Sequence, residues 1–138
     1  GCTSNLHAAT PLSQLAGCEL TVSGGGVRKR DLDVIGSDAL TFFRRYRVGV
    51  GVVSVGGIGE EGELYDFNDE EVVARQALVA SAEVNVLVVD STKFGRRAMC
   101  RNGDIGDFHY VVSDRAPTQQ QRDLLAQRNT KWLCREEE

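Results

Sequence analysis

Two near-continuous apolar runs, VGVGVVSV at residues 48–55 and VNVLVV at residues 84–89, constrain the fold more than any other feature of the chain. A strand that is apolar on both faces has no side to show to water, so it belongs in a parallel sheet covered above and below. Other segments fit the same sheet. CELTVS at residues 18–23 is short, rich in strand formers and closed by Gly24-Gly25-Gly26, while FHYVVS at 108–113 and KWLCR at 131–135 supply the later strands. Helical patterns with recognisable starts lie between them. Ser37 precedes DALTFFRRY, Asn68 precedes DEEVVARQALVASAE with Glu71 at the capping-box spacing, and a last helix over residues 118–127 begins just after Pro117. Strand, helix and strand repeated in this way predict an α/β protein built on a parallel sheet with right-handed crossovers.

One such sheet needs one core. At 138 residues the chain fits a single domain, and 41% hydrophobic with 26% charged residues is the balance of a globular protein. No apolar run approaches the ~20 residues that a membrane-spanning helix needs. The opening GCTSNLHAATPLSQ lacks the basic-then-apolar order of a signal peptide. A cytoplasmic protein with no membrane partner is expected. The four cysteines, Cys2, Cys18, Cys100 and Cys134, fall in no metal-ligand or redox spacing, so neither a disulfide nor a zinc site is expected. A net charge of −4 argues against a surface whose main work is gripping nucleic-acid phosphates. Arg28-Lys29-Arg30 and Arg44-Arg45 with Arg47 are basic clusters without aromatic residues placed for stacking on bases, and they read as solvated faces.

In open parallel sheets ligands bind in the crevice beyond the carboxyl ends of the strands. Three of those ends carry unusual residues: Gly24-Gly25-Gly26, Gly56-Gly57-Ile58-Gly59 and Asp90-Ser91-Thr92-Lys93. Glycines let backbone N–H groups approach an anion, and a lysine supplies a point charge, so the three ends together can form an anion pocket. Ordinary turns and one more solvated lysine are the plain alternative at each. Thr3-Ser4-Asn5 opens a further helical pattern whose hydroxyl and amide caps suit either a phosphate or simple capping. No strand pattern precedes Thr3, and the chain reads as opening where a strand has just finished.

The succession TSNLHAATPLSQL, ELTVSGGGVRKRDLDVIGSDAL, VVSVGGIGEEGELYDFNDEEVVARQALVASA and VLVVDSTKFGRRAM resembles the C-terminal effector domain of DeoR-type bacterial transcriptional regulators, from Thr3 to about Pro117. The most specific element is Asp-Ser-Thr-Lys-Phe-Gly following a Gly-Gly-Ile loop at this separation. The resemblance implies a parallel-sheet open sandwich, like ribose-5-phosphate isomerase and CoA transferases, lacking its first strand–helix unit. It implies that residues 1–138 are an effector-binding domain whose N-terminal winged helix-turn-helix is absent. Such a domain senses a phosphorylated sugar or related metabolite, uses no cofactor, reaches DNA only through the missing part and acts as a homo-oligomer on paired half-sites. Lys93 is where the family keeps a pocket lysine, and Ser4, Asn5, Gly24, Gly25, Gly56, Gly57, Asp90 and Ser91 are the other expected ligand contacts. The chain departs from the pattern in places. Thr3-Ser4-Asn5 stands for the usual Thr-Asn-Ser, Gly59 for an Asp and Gly49 for another, so the family's acidic contact to a sugar hydroxyl does not carry over. Its upstream glycine-threonine phosphate loop is missing as well, and an incomplete phosphate site is expected.

A sugar-phosphate isomerase is the alternative, with Lys93, Asp90 and Glu60 or Glu61 to supply a cation and a general base. A run such as EEGE is more often solvated than catalytic, and a binding protein without enzymatic activity is the preferred expectation. A plain oligomerisation module is compatible with either. His7 and His109 have no partner at ligand spacing and read as structural or exposed. Trp132 and Phe108 are expected in the core, Asp66 at a turn cap rather than the crevice, and the terminal Arg-Glu-Glu-Glu as a frayed end.

Overall fold

The four strands that the apolar runs predict do pair, and all in one direction. In the computed structural model, which describes residues 2–3, 21–22, 26–28, 33–35 and 44–134, β5 (Val48–Val53), β8 (Ala82–Val88), β10 (Tyr110–Ser113) and β11 (Lys131–Cys134) form a parallel sheet in the order β11-β10-β8-β5. Their register aligns one row of side chains across the whole sheet. Val53 lies opposite Leu87, Leu87 opposite Val111, and Val111 opposite Trp132. This row is the floor of the core, which Val55, Ile58, Leu64, Val89, Ile105, Phe108 and Leu125 complete. Phe108 is buried as expected, and Trp132 packs partly buried against the same cluster.

The neighbouring row on each strand faces the other way. Val50, Val52, Val88 and Leu133 are exposed there, so among the described residues a sheet covered on both faces is realised on one face only. The N-terminal strands are short. β1 (Cys2–Thr3) pairs parallel with β2 (Thr21–Val22), and β3 (Gly26–Arg28) pairs antiparallel with β4 (Asp33–Ile35). Within CELTVS only Thr21–Val22 is described as strand, and it pairs in its own two-stranded sheet rather than in the four-stranded one. The helix expected after Ser37 lies outside the described residues up to Arg44.

Both described helices start where their capping residues predict. Helix α1 (Asp69–Ser81) is capped by Asn68, whose side chain accepts the Glu71 N–H, and Asp69, Glu70 and Glu71 suit the positive end of its dipole. Helix α2 (Gln119–Ala126) follows its cap Thr118, which forms a reciprocal capping box with Gln121. No described helix is long and apolar enough to cross a membrane.

A second sheet, absent from the sequence reading, occupies the connections around β8. Strands β6 (Gly57–Ile58), β7 (Glu63–Asp66) and β9 (Cys100–Asp104) pair antiparallel in that order. Between β6 and β7 the chain reverses through residues 59–62, with the Gly59 N–H donating to the Glu63 carbonyl at 2.8 Å and Gly62 at a φ of +89°. Glycine takes that conformation without steric cost. Arg128, just past α2, ties this sheet to the rest by donating to both Asp104 carboxylate oxygens, at 2.7 and 3.0 Å, and to the Glu61 carbonyl.

The register makes a direct claim about where stability resides. Leu87→Ala, in the middle of the buried row, should destabilise the fold by about 2–5 kcal/mol, while Glu83→Ala on the exposed part of the same strand should stay within about 0.5 kcal/mol. Denaturant titration of both variants checks it, and equal losses would mean that the row is not the core.

Candidate functional site

Because the four strands run the same way, their carboxyl ends meet at one edge, and two of the predicted segments do come together there. Beyond β5, Gly56 and Gly57 enter the β6–β7 hairpin. Beyond β8 the chain makes a short 3-10 turn, η1 (Ser91–Lys93), and then a tight reversal at Phe94-Gly95. The Gly95 N–H donates to the Ile58 carbonyl at 2.7 Å, and Phe94 forms a parallel bridge with Ile58. A Cβ added to Gly57 would stand 2.0 Å from the Arg96 carbonyl oxygen, so this close approach of two backbones requires glycine.

Within η1 the groups brace one another. Asp90 caps the turn by accepting the Thr92 N–H at 2.8 Å and the Thr92 hydroxyl. Ser91 turns to the next strand end, where Asp114 accepts its N–H at 2.7 Å and its hydroxyl at 3.2 Å. The Thr92 hydroxyl and N–H, with help from the Lys93 charge, hold the Asp90 carboxyl below its ordinary range. For Asp114 desolvation pushes upward, but the hydrogen bonds from Ser91 and Ser113 outweigh it and its carboxyl is lowered too. Lys93 is half-buried beside this brace.

Gly56 has a different part from the one expected. It is buried, and its N–H donates to Asp66 at 3.2 Å. Asp66 neither faces the crevice nor caps a turn. It is buried and ion-paired with the buried Arg75 of α1, whose second nitrogen donates to the Asn102 carbonyl of β9 at 2.8 Å. Burial pushes the Asp66 carboxyl up, and the Arg75 charge and the Gly56 N–H pull against that rise. The pair therefore fixes the glycine loop to α1 and to β9 from beneath.

The remaining expected contacts, Ser4, Asn5, Gly24 and Gly25, lie outside the described residues, as does His7. His109 is exposed and structural, its Nδ1 accepting the Asn85 N–H at 2.9 Å. Glu60 and Glu61 are exposed at the tip of the β6–β7 hairpin, in keeping with a solvated run. Sequence reasoning missed Asp114, although the rule that selected Asp90, a polar residue just past a predicted strand, selects it equally. Trp132, the single tryptophan, stacks on Phe94 with ring centroids 5.3 Å apart, and its indole N–H donates to the Arg115 carbonyl at 3.0 Å.

With this edge in place, comparison with known proteins decides the family. The model of the DeoR C-terminal sensor domain matches residues 2–115. The chain belongs to that family. The sensor domain is 34% identical over 115 residues to the glycerol-3-phosphate regulon repressor of Escherichia coli (strain K12), covering 83% of this chain and 46% of that protein. It is 30% identical over 132 residues to the glycerol-3-phosphate regulon repressor of Haemophilus influenzae, covering 96% of this chain and 51% of that one. Against the HTH-type transcriptional repressor GlcR of Bacillus subtilis it is 24% identical over 136 residues, 99% of this chain and 52% of the relative. The sensor domain thus spans about half the length of the curated relatives it matches.

Two outcomes test the geometry of the edge. Arg75→Met leaves the Asp66 carboxylate buried without its partner and should cost about 3–5 kcal/mol, whereas the double replacement Asp66→Leu with Arg75→Met should cost less than the sum of the singles. Thermal or denaturant unfolding measures both. For Asp90 and Asp114 the sign follows from lowered folded values: their bracing is fully present above the ordinary carboxyl value of 3.8 and is lost as pH falls through the lowered ones. Asp114→Asn should therefore flatten the acid limb of the stability profile, and a limb identical to that of the unmodified protein would refute the brace.

Proposed function

We propose that this chain is the effector-sensing domain of a DeoR-type transcriptional repressor, and that a phosphorylated small metabolite binds at the carboxyl edge of the parallel sheet. DNA is contacted by a separate N-terminal domain, and the protein works as a homo-oligomer in the cytoplasm. The observation that carries the site is the seating of the Lys93–Arg96 segment on the Gly57–Ile58 backbone, at the sheet edge where open α/β proteins take their ligands. Two of the relatives are named for glycerol 3-phosphate, so a phosphate monoester of a short polyol or sugar is the effector class proposed.

Binding without turnover suits the groups present. Isomerisation needs a carboxylate held at the substrate carbon in a water-poor site, but Asp90 and Asp114 are exposed and engaged in bracing η1, and Glu60 and Glu61 are at an exposed tip. Lys93 supplies charge, Ser91 and Asp90 supply groups for hydroxyls, and Gly56, whose N–H donates to Asp66, places the loop rather than contacting the effector.

In the full-length protein Lys93→Ala should weaken binding of the effector by about 1.5–3 kcal/mol, roughly ten- to a hundredfold. The melting temperature should hardly move, since a solvent-lined cation contributes little to stability. Calorimetry with glycerol 3-phosphate and a panel of hexose and pentose phosphates measures the effect. Unchanged affinity at an unchanged melting temperature would return Lys93 to the class of surface lysines, and conversion of an aldose phosphate to its ketose would refute binding without turnover.

A further inference from the structure

The reversal after η1 places a second cation beside Lys93. Phe94 has φ −73° and ψ 131°, Gly95 has φ +80°, and the Arg96 N–H donates to the Lys93 carbonyl at 3.3 Å. These values match a type II β-turn with Lys93 and Arg96 at its two outer positions, which such a turn holds within about 7 Å of each other at Cα. The turn is also fixed from below. Gly95 is hydrogen-bonded to Ile58, Phe94 is stacked on Trp132, and the Arg96 carbonyl is seated on Gly57. Neither Lys93 nor Arg96 has a side-chain hydrogen bond or ion pair with a described residue, and the Arg96 side chain is exposed.

We propose that Arg96 is the second cation of the effector site and makes it selective for a phosphate monoester dianion. The inference rests on the proposed effector site above and names a residue in it. A lysine is a single point charge, whereas a guanidinium presents a planar fork that meets two phosphate oxygens at once. Two cations at the ends of one rigid turn match the charge of a dianionic phosphate, whereas a carboxylate leaves one of them and a neutral polyol leaves both without a counter-charge. The attachments beneath the turn mean that ligand binding does not have to order it first, which removes part of the entropic cost of binding.

The test uses glycerol 3-phosphate, glycerate, glycerol and inorganic phosphate as probes, with calorimetry and the fluorescence of Trp132, which stacks against this turn. Arg96→Ala should weaken the phosphate monoester at least about tenfold, the lower end for a hydrogen bond to a charged group, and should leave glycerate and glycerol affinities unchanged. Arg96→Lys keeps the charge but loses the fork, and should recover only part of the affinity. Because Arg96 is exposed, both variants should melt with the unmodified protein. If Lys93→Ala weakens the phosphate monoester while Arg96→Ala binds it as tightly as the unmodified protein, the second cation is refuted and the effector site stands. If neither substitution changes binding in the full-length repressor, or the unmodified full-length repressor binds no phosphate monoester, both are refuted. Full recovery by Arg96→Lys would overturn the bidentate fork.

Discussion

The buried ion pair between Asp66 and Arg75 is the constraint on which the arrangement of the sheet edge depends. A carboxylate and a guanidinium removed from water carry a desolvation cost of several kcal/mol per ion, recovered only if the partners and further hydrogen bonds satisfy them. Here they do. The carboxylate takes Arg75 on one oxygen and the Gly56 N–H on the other, and the guanidinium also reaches the Asn102 carbonyl. Three chain segments that are distant in sequence, the end of β5, helix α1 and strand β9, are thus held to one pair of charges. An apolar pair of similar volume would hold α1 against β7, but it would leave the Gly56 N–H without an acceptor in the interior.

From that pair the order passes outward to the surface. Gly56 is set by Asp66, so Gly57 and Ile58 follow at a defined height above the sheet. The Phe94–Gly95 turn is then hydrogen-bonded onto Ile58, and Phe94 closes on Trp132 at the far strand β11. Lys93 and Arg96 are carried by this framework, while Asp90 and Asp114 brace η1 from within the edge. Separation of framework from contact is what a binding site on loops requires, since its side chains must meet ligand without first being ordered.

How much of this was legible in the sequence depended on whether the signal was local. The apolar runs at 48–55 and 84–89 announced a parallel sheet because such runs admit few other environments, although among the described residues only one face of that sheet is covered. Asn68 and Thr118 announced their helices because a cap acts over three residues. The antiparallel sheet gave no such signal. Gly57–Ile58 is too short to show a period, and Cys100–Asp104 reads CRNGD, with no apolar alternation, its pairing being fixed by the partner strand β7. The place of Asp90, Ser91 and Lys93 at the sheet edge was legible because it follows from their position after a buried strand. Asp66 was misread because its partner stands nine residues away across a loop and a helix turn, a contact that no spacing rule proposes.

The glycines show why position and role came apart. Gly56 and Gly57 were selected as anion donors because glycine after a strand permits an anion to approach the backbone. The same absence of a side chain also permits a second backbone to approach. At Gly57 the space that a ligand would need is filled by the Arg96 carbonyl, which a Cβ would meet at 2.0 Å. At Gly56 the N–H points inward to Asp66. The glycine loop is therefore a seat for the turn that carries Lys93 and Arg96. The effector site proposed for this edge would therefore recognise charge on its ligand first and shape second, because long cationic side chains adapt to an anion's position in a way that fixed amides do not.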